Sequence, residues 1–273
     1  MKLLLWTMDD PASRGLALRL VALGHFPRTE GDGSLRRDDA LGAALAKVEG
    51  SLLAADFADR EIAARFGLPF ERALFLSRHS AASGRSAFTV HPIGNLGGEA
   101  AFGGAPRALA PADPAYMTSL LLALAGEARP LDVTATFEAT HHGPQMKLPS
   151  LFVEVGSRPK DWENPDLVDA VARAVVEGYL KPSLAEPAAP ALGLGGGHYH
   201  PRHTDRARAD GTPFGHLIPL HALQGLREAT LKDAVRLTGA RVCLVDARKD
   251  ERGALERAAA LLEAQGLRTE RLG

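Results

Sequence analysis

Three times in this chain an Asp or Asn stands directly before a proline at the mouth of an apolar-periodic stretch: Asp10-Pro11, Asp113-Pro114 and Asn164-Pro165. A short acceptor side chain at the N-cap with proline in the first turn starts a helix, because proline has no hydrogen bond to lose there. Each of these starts has a strand-like apolar run beside it. Lys2 to Thr7 reads as a buried strand ahead of a helix through Leu16, Leu20 and Leu23 that stops at Gly24. Asp113-Pro114 opens a helix with the stripe Met117, Leu120, Leu121, Leu124 and Ala125. Asn164-Pro165 opens one whose Leu167, Val168, Val171, Val175 and Tyr179 share a face. Strands alternating with helices predict an α/β layered sheet. No internal repeat interrupts the pattern.

The remaining segments fill that frame. Ala73-Leu74-Phe75-Leu76 and Ala87-Phe88-Thr89-Val90-His91 read as strands, each with a histidine at its exit. From Leu131 to Ala139 the alternation is clean, with Leu131, Val133, Ala135, Phe137 and Ala139 on one face and Glu138 on the other. Leu151 to Val155 is almost continuously apolar, as in a central strand, and it carries Glu154, which needs a partner there. Residues 28 to 67 are weakly periodic, expected to hold a short strand and helices, and no chemistry is placed there. Pro182 to Pro190 reads as a loop or linker, and Ala191 to Leu194 as a strand running into three glycines and a polar stretch to Gly211. A helix from Thr230 to Thr238 stopped by Gly239, a strand from Arg241 to Val245, a helix through Leu255 and Leu262 stopped by Gly266 and a last short strand complete the chain.

Composition narrows the chemistry. The 273 residues are 45% hydrophobic and 24% charged, enough for one large domain or two small ones, and exclude disorder. Lys plus Arg total 32 against 33 for Asp plus Glu, so no global field steers a nucleic acid or membrane, and an anionic ligand needs a local patch. The lone Cys243, in an apolar run, excludes an intrachain disulfide framework, cysteine-rich zinc modules and iron–sulfur clusters. The apolar start Met1 to Trp6 meets Thr7, Asp9 and Asp10 too soon for a signal-peptide core or a membrane span, so a cytoplasmic enzyme is expected. Histidine is the surplus: ten, nine of them between His79 and His221.

Three segments concentrate them. Glu138-Ala139-Thr140-His141-His142-Gly143-Pro144 follows the best strand, where open α/β sheets place reactive groups. An extended backbone would turn His141 and His142 to opposite sides. Gly195-Gly196-Gly197-His198-Tyr199-His200-Pro201-Arg202-His203-Thr204-Asp205 joins a permissive glycine turn, suited to an oxyanion or phosphate, to histidines. Its spacing matches neither a dinucleotide fingerprint nor a Walker loop. Extended, His198 and His200 share a face, and with His203, Asp205, His141 or Glu154 they could form a nitrogen and oxygen site for zinc. The alternative is a flexible glycine loop followed by surface histidines. The third group is His79 beside Arg78, His91 with Asn95 nearby, and the Phe102-Gly103-Gly104 turn with Arg107 as a phosphate contact. His216 reads as a satisfied core residue, while His25 and His221 read as incidental. No Gly-x-Ser-x-Gly elbow occurs, and Ser157 lacks the glycine frame of a nucleophile.

Taken in order, Leu76-Ser77-Arg78-His79 with Ser83-Gly84, Thr89-Val90-His91-Pro92 with Gly94-Asn95, Phe102-Gly103-Gly104 with Pro106-Arg107, Phe137 to Pro144, Phe152 to Ser157 with Trp162, and Gly195 to Tyr199 followed by Thr204 and Phe214-Gly215-His216 resemble the D-aminoacyl-tRNA deacylases of the archaeal and plant type. The likeness runs from Asp10-Pro11-Ala12-Ser13 to about Asp246. The pairing of His-His-Gly-Pro with Gly-Gly-Gly-His-Tyr is its specific part; residues 28 to 67 and those after Asp246 carry no family motif.

The resemblance implies a single domain over residues 1–273 with a three-layer α/β/α fold of the phosphorylase/hydrolase-like type. It implies a mixed, largely parallel sheet, zinc dependence, and hydrolysis of the ester that joins a D-amino acid to the 3′ end of tRNA. On that basis His141, His142, Glu154 and His198 are expected to bind metal. Glu138, His141 and His142 would serve catalysis, with Gly196 and Gly197 donating to an oxyanion. His79, His91, Asn95, Arg107, Lys147, Tyr199 and Arg202 would meet substrate, and Arg158, Lys160, Arg206 and Arg208 join Lys147 and Arg202 as candidate phosphate contacts. A monomer is expected, a dimer being the alternative. A zinc amidase or aminopeptidase on a similar fold and a non-catalytic RNA-binding module are the competing readings, the latter disfavoured by 5% aromatic content, which leaves few stacking platforms.

Overall fold

The computed structural model describes residues 1–183, 188–247 and 252–272. The chain opens with β1 (Lys2–Thr7) and α1 (Pro11–Ala22), whose start is fixed by Asp10 accepting from the backbone N–H groups of Ala12 and Ser13. Residues 28 to 67, expected to hold one strand and helices, form three strands, β2 (Arg28–Glu30), β3 (Leu35–Asp38) and β4 (Ala43–Val48), before α2 (Ala58–Phe66). β2 and β3 are short and mostly polar, and the alanine-rich β4 is buried at four successive positions, so none of the three shows an alternating period. Next come β5 (Arg72–Arg78), β6 (Ala87–Pro92), α3 (Pro114–Ala128), β7 (Thr134–Phe137), β8 (Ser150–Gly156), the short α4 (Pro159–Trp162) and α5 (Pro165–Val175). Asn164 caps α5 with its side chain, as the sequence predicts, and a wide turn over Val176–Leu180 buries Tyr179. The last part holds β9 (Ala191–Gly195), α6 (Pro201–Asp210), β10 (Phe214–Ile218), α7 (Glu228–Thr238), β11 (Val242–Asp246), α8 (Arg252–Ala264) and β12 (Arg268–Arg271). The Pro- and Ala-rich linker falls partly outside the described residues.

The expected α/β architecture is present, with its strands divided between two sheets. Eight strands run in the order β2-β3-β4-β1-β5-β8-β6-β7, and four parallel strands in the order β10-β9-β11-β12. In the larger sheet β4, β1, β5 and β8 are parallel, while β6 and β7 run against β8. Side-chain alternation sorts its two faces. Leu4, Leu74, Leu76, Val153 and Val155 pack against α1, α3 and α5, whereas Leu3, Leu5, Phe75 and Phe152 face the side carrying α2. The second sheet packs Leu244 and Leu217 toward α6, and Leu192, Cys243 and Val245 toward α7 and α8. No helix among the described residues is long and apolar enough to cross a membrane.

Two expectations need correcting here. The strand around Glu138 is only four residues long, and from Ala135 onward both of its faces are buried. The reason is α6: the Thr204 hydroxyl accepts from the Phe137 N–H, and the His200 N–H donates to the Phe137 carbonyl, so the edge is capped and Glu138 is shut in. The polar stretch after the glycines is α6 itself. Its buried face is His203, Thr204 and Ala207, so it lacks the apolar stripe by which a helix is recognised. Proline at its first turn and Gly211 at its end, in the left-handed conformation, were the signals available.

Candidate active site

Along β8 the face that holds Phe152 changes character at Glu154, and the same change occurs on its neighbours. Phe75 is followed by Ser77 on β5 and by His79 just past its end, while Thr89 stands opposite Glu154 on β6 and His91 opposite Phe152. A buried polar patch is thereby built into the middle of a sheet face. Glu154 accepts from His79 Nδ1 at 3.3 Å and from the Thr89 hydroxyl at 3.1 Å, and His91 Nε2 lies 3.7 Å from its other oxygen. These are the partners that the sequence demanded for a buried acid. Burial favours its neutral form, but His79 and His91 outweigh burial and hold the Glu154 pKa well below the usual carboxylate range. Burial likewise lowers both imidazoles, and Glu154 with Glu138 outweighs it, raising His79 and His91 above the ordinary value.

The segment after β7 crosses this patch. His141 pairs with Ile93 in an isolated parallel bridge, so its ring lies 4.1 Å from that of His91. His142 takes a left-handed φ of 43°, which overturns the expectation that the two histidines face apart. Its ring swings back to within 4.3 Å of His141 and against Phe152. Gly143 makes the return possible: a Cβ there would stand 2.3 Å from the Gly104 nitrogen.

His141 donates Nδ1–H to the Ala139 carbonyl, His142 to the Gly143 carbonyl, each at 2.7 Å, and His91 to the Pro92 carbonyl at 3.1 Å. With Nδ1 committed as donor, Nε2 of His141 and of His142 is left as the lone-pair atom of the neutral ring, while His91 turns its Nε2 toward Glu154. Burial and the charge of His91 lower the His141 pKa well below its ordinary value and bring His142 to about 4, so both rings are neutral at pH 7.

Glu138 completes the cluster. It is fully buried, 3.4 Å from His79 Nδ1 and 3.2 Å from His198 Nε2, yet neither of its oxygens has a hydrogen-bond partner. His91 Nε2 is a third buried atom without one. Two buried carboxylate oxygens without a hydrogen-bond donor, set among imidazole nitrogens, mark a place for positive charge. Donor atoms of His91, His141 and His142, of Glu138, His141 and His198, and of His79, Glu138 and Glu154 lie within 4.8 Å of one another in each group. The residues therefore fit a divalent cation with nitrogen and oxygen ligands.

Tyr199, beside His198, sets its hydroxyl 2.8 Å from His79 Nε2, and burial together with Glu138 and Glu154 pushes its pKa up to about 12. Above the cluster lies a cleft of about 530 Å³ lined by His79, His141, His142, Glu154 and His198. Thr7, Asp9, Asp10, Ser51, Leu52, Leu53, Ser77, Arg78, Ser80 and Phe102 form the rest of its wall. Ser51, Leu52 and Leu53 come from the stretch to which the sequence assigned no chemistry; nothing in their pattern marks them.

Several expected contacts are absent from the cleft. Gly196, also left-handed, turns its Cα toward the buried Asp246 rather than the histidines, and neither it nor Gly197 lines the cleft. Arg202 donates to Asp246 at 2.8 Å and to the Leu272 carbonyl. His200 turns away from His198 because it heads α6, and its Nδ1 lies 3.1 Å from that of His203, which in turn donates Nε2–H to the Leu244 carbonyl. Both rings are buried, so they are not surface histidines. Asn95 donates to the Gly103 and Ala105 carbonyls and so braces a turn. Arg107 and Lys147 line a separate groove with Arg236. Arg206 pairs with Asp210 and lies outside the cleft. His216 is the satisfied core residue expected, bonded to the Thr140 hydroxyl and the Ala110 carbonyl. Ser157 donates its hydroxyl to the Arg85 carbonyl and does not line the cleft.

Comparison with known proteins supplies the family. The model of the family described as D-aminoacyl-tRNA deacylase matches residues 66–270. The D-aminoacyl-tRNA deacylase of Methanosarcina mazei is 36% identical over 217 residues, 78% of this chain and 71% of that protein. That of Pyrococcus abyssi is 34% identical over 240 residues, 85% of each. A crystal structure of a conserved protein of unknown function superposes with a TM-score of 0.88 at 30% identity, covering 99% of this chain and 95% of the other. On this match of model, relatives and fold, the chain belongs to the D-aminoacyl-tRNA deacylase family.

Proposed function

We propose that the chain hydrolyses the ester of D-aminoacyl-tRNA at the histidine cleft, releasing the free D-amino acid and tRNA, with zinc held by His91, His141 and His142. The observation that carries this reading is the convergence of three imidazoles, each with Nδ1–H tied to a carbonyl, on two buried carboxylates beneath an open cleft. When bound, zinc supplies Lewis acidity toward the acyl carbonyl and lowers the pKa of a water. Glu154 then serves as an orienting group: it accepts from His79 and from Thr89 on the neighbouring strand, and so fixes His79 against the cluster.

Proton handling falls to His198 and Glu138. His198 stands at the mouth of the cleft with a side chain 43% exposed, its Nε2 backed by the fully buried Glu138. An imidazole braced by a carboxylate is suited to take the proton of the attacking water and return it to the departing ribose oxygen. The water oxygen joins the acyl carbon, the bond from that carbon to the ribose oxygen breaks, and the proton passes through His198 between them. Arg107 and Lys147 in their neighbouring groove meet acceptor-end phosphates.

The test incubates the protein with D-tyrosyl-tRNA and L-tyrosyl-tRNA, with and without a chelator, and measures zinc per chain in the purified protein. Selective release of D-tyrosine, loss of the rate on chelation and its return with zinc are expected. Equal release of both enantiomers would falsify the deacylase reading. A rate indifferent to chelation removes zinc and leaves hydrolysis to the histidines.

A further inference from the structure

Phe102 is the most exposed large apolar side chain among the described residues, at 70%, and it sits on the wall of the catalytic cleft. An exposed ring on a loose loop would mean little. This one is held on a clamped turn. The Phe102 carbonyl accepts from the Gly143 N–H at 3.1 Å, next to His142. Gly103 and Gly104 both take positive φ; a Cβ on Gly103 would stand 1.7 Å from the Leu53 carbonyl oxygen, and one on Gly104 would crowd the Gly143 Cα at 3.1 Å. Asn95 ties the far side of the turn through the Gly103 and Ala105 carbonyls. The backbone is thus locked against the histidine turn while the phenyl ring contributes almost nothing to the core.

Resting on the deacylase reading, we propose that Phe102 is a stacking platform for the 3′-terminal adenine of tRNA. The scissile ester is carried on the terminal ribose, so when its carbonyl reaches His141, His142 and His198 the attached base lies one sugar ring away, within the same cleft. The amino-acid side chain differs from substrate to substrate, whereas the terminal adenosine is common to all of them. A rigid aromatic face that makes no hydrogen bond suits this constant flat partner.

The experiment compares the wild type with Phe102→Ala and Phe102→Trp on three esters: D-tyrosyl-tRNA, D-alanyl-tRNA, and a D-tyrosyl-tRNA whose terminal ribose lacks its base. Stacking of about 1–3 kcal/mol predicts that Phe102→Ala raises KM roughly 5- to 150-fold. That rise should be equal for the two natural esters, with kcat little changed, and Phe102→Trp should restore KM. On the base-free ester the ratio between Phe102→Ala and wild type should fall toward one. Because the ring is exposed, the thermal midpoint of Phe102→Ala should match the wild type. The proposal is overturned if Phe102→Ala leaves KM unchanged, if its penalty persists on the base-free ester, or if it penalises D-tyrosyl far more than D-alanyl, which would seat the amino-acid side chain on the ring. Failure of the wild type to hydrolyse either natural ester is a different result and rejects the deacylase reading itself.

Discussion

Within the cluster, role follows from which nitrogen of each histidine is already committed. His142 and His198 both line the cleft, but only His142 ties Nδ1 to a backbone carbonyl and leaves Nε2 free, whereas His198 directs Nε2 at Glu138. His142→Ala should therefore lose bound zinc together with activity. His198→Ala should keep zinc and lose about 10²–10⁴-fold in kcat, the usual worth of a general acid–base group. Metal analysis beside kinetics on the two proteins checks the division, and equal metal loss in both would refute it. A second residue-scale prediction concerns His216, fully buried and held down to about 4 by that burial, against 6.5 when unperturbed. Well above pH 6.5 neither folded nor unfolded chain protonates it. As pH falls below 6.5 the unfolded chain takes up a proton that the folded one refuses until about pH 4, so stability is lost across that window. By pH 5 the loss from this ring comes to about 2 kcal/mol. Urea unfolding at pH 7 and pH 5 should show a smaller drop for His216→Gln than for the wild type, and equal drops would contradict it. At this scale the sequence named His141, His142, Glu154 and His198 as a set because histidine-rich strand ends and a buried acid are visible in one dimension. The left-handed φ of His142, the burial of Glu138 and the enclosure of His91 against Glu154 and His141 depend on neighbours from other strands, which no local pattern encodes.

Elements were legible wherever a cap or an apolar period announced them. The bounds of β1 coincide with those expected, α3 and α5 begin at their Asx-Pro pairs, and α7 stops at Gly239 in the left-handed conformation. Elements failed to show where polar residues are buried, as in α6, where the strands are short, as in β2 and β3, or where alanine dominates without a period, as in β4. The turns are the elements on which the site depends most, and glycines tell which are close-packed. Gly143→Ala would drive a Cβ into the Gly103-Gly104 backbone, an overpacking that should cost about 1–3 kcal/mol and lower kcat/KM by tilting His142. Gly126→Ala, on α3 with open space around it, should instead be neutral or stabilise by up to about 1 kcal/mol. Chemical denaturation of both proteins gives the comparison. If Gly143→Ala unfolds no earlier than Gly126→Ala, the two turns are not locked.

At the scale of the whole molecule the site is where the two sheets meet. The Ala139 N–H donates to the His198 carbonyl, the Thr140 N–H to the Leu217 carbonyl, and Glu138 bridges Tyr199, so the segment leaving β7 is stitched to β10 and to the loop after β9 of the smaller sheet. Because β6 and β7 run against β8, their exit histidines reach the cluster across a sheet face rather than along one carboxyl edge. The expectation of ligands beyond strand ends therefore holds only in part. The same meeting decides how a chain of net charge −1 can hold a polyanion. Of the cations first considered, Arg202 and Arg206 are paired with Asp246 and Asp210, so attraction for the acceptor end must come from a few groups near the cleft. Arg107 and Lys147 share one groove, with Lys147 over the Phe57 ring. Each phosphate neutralised releases counterions worth roughly 0.7–0.9 in the slope of log affinity against log salt. Replacing both cations with alanine should therefore shrink the slope by about 1.4–1.8 if each meets one phosphate, and weaken binding alike for every tRNA sequence. Arg206→Ala, which removes a cation already paired, should leave the slope within error of the wild type. A slope unchanged by the double substitution would move the phosphate path to another face, with Arg78 and Lys160 the next pair to test.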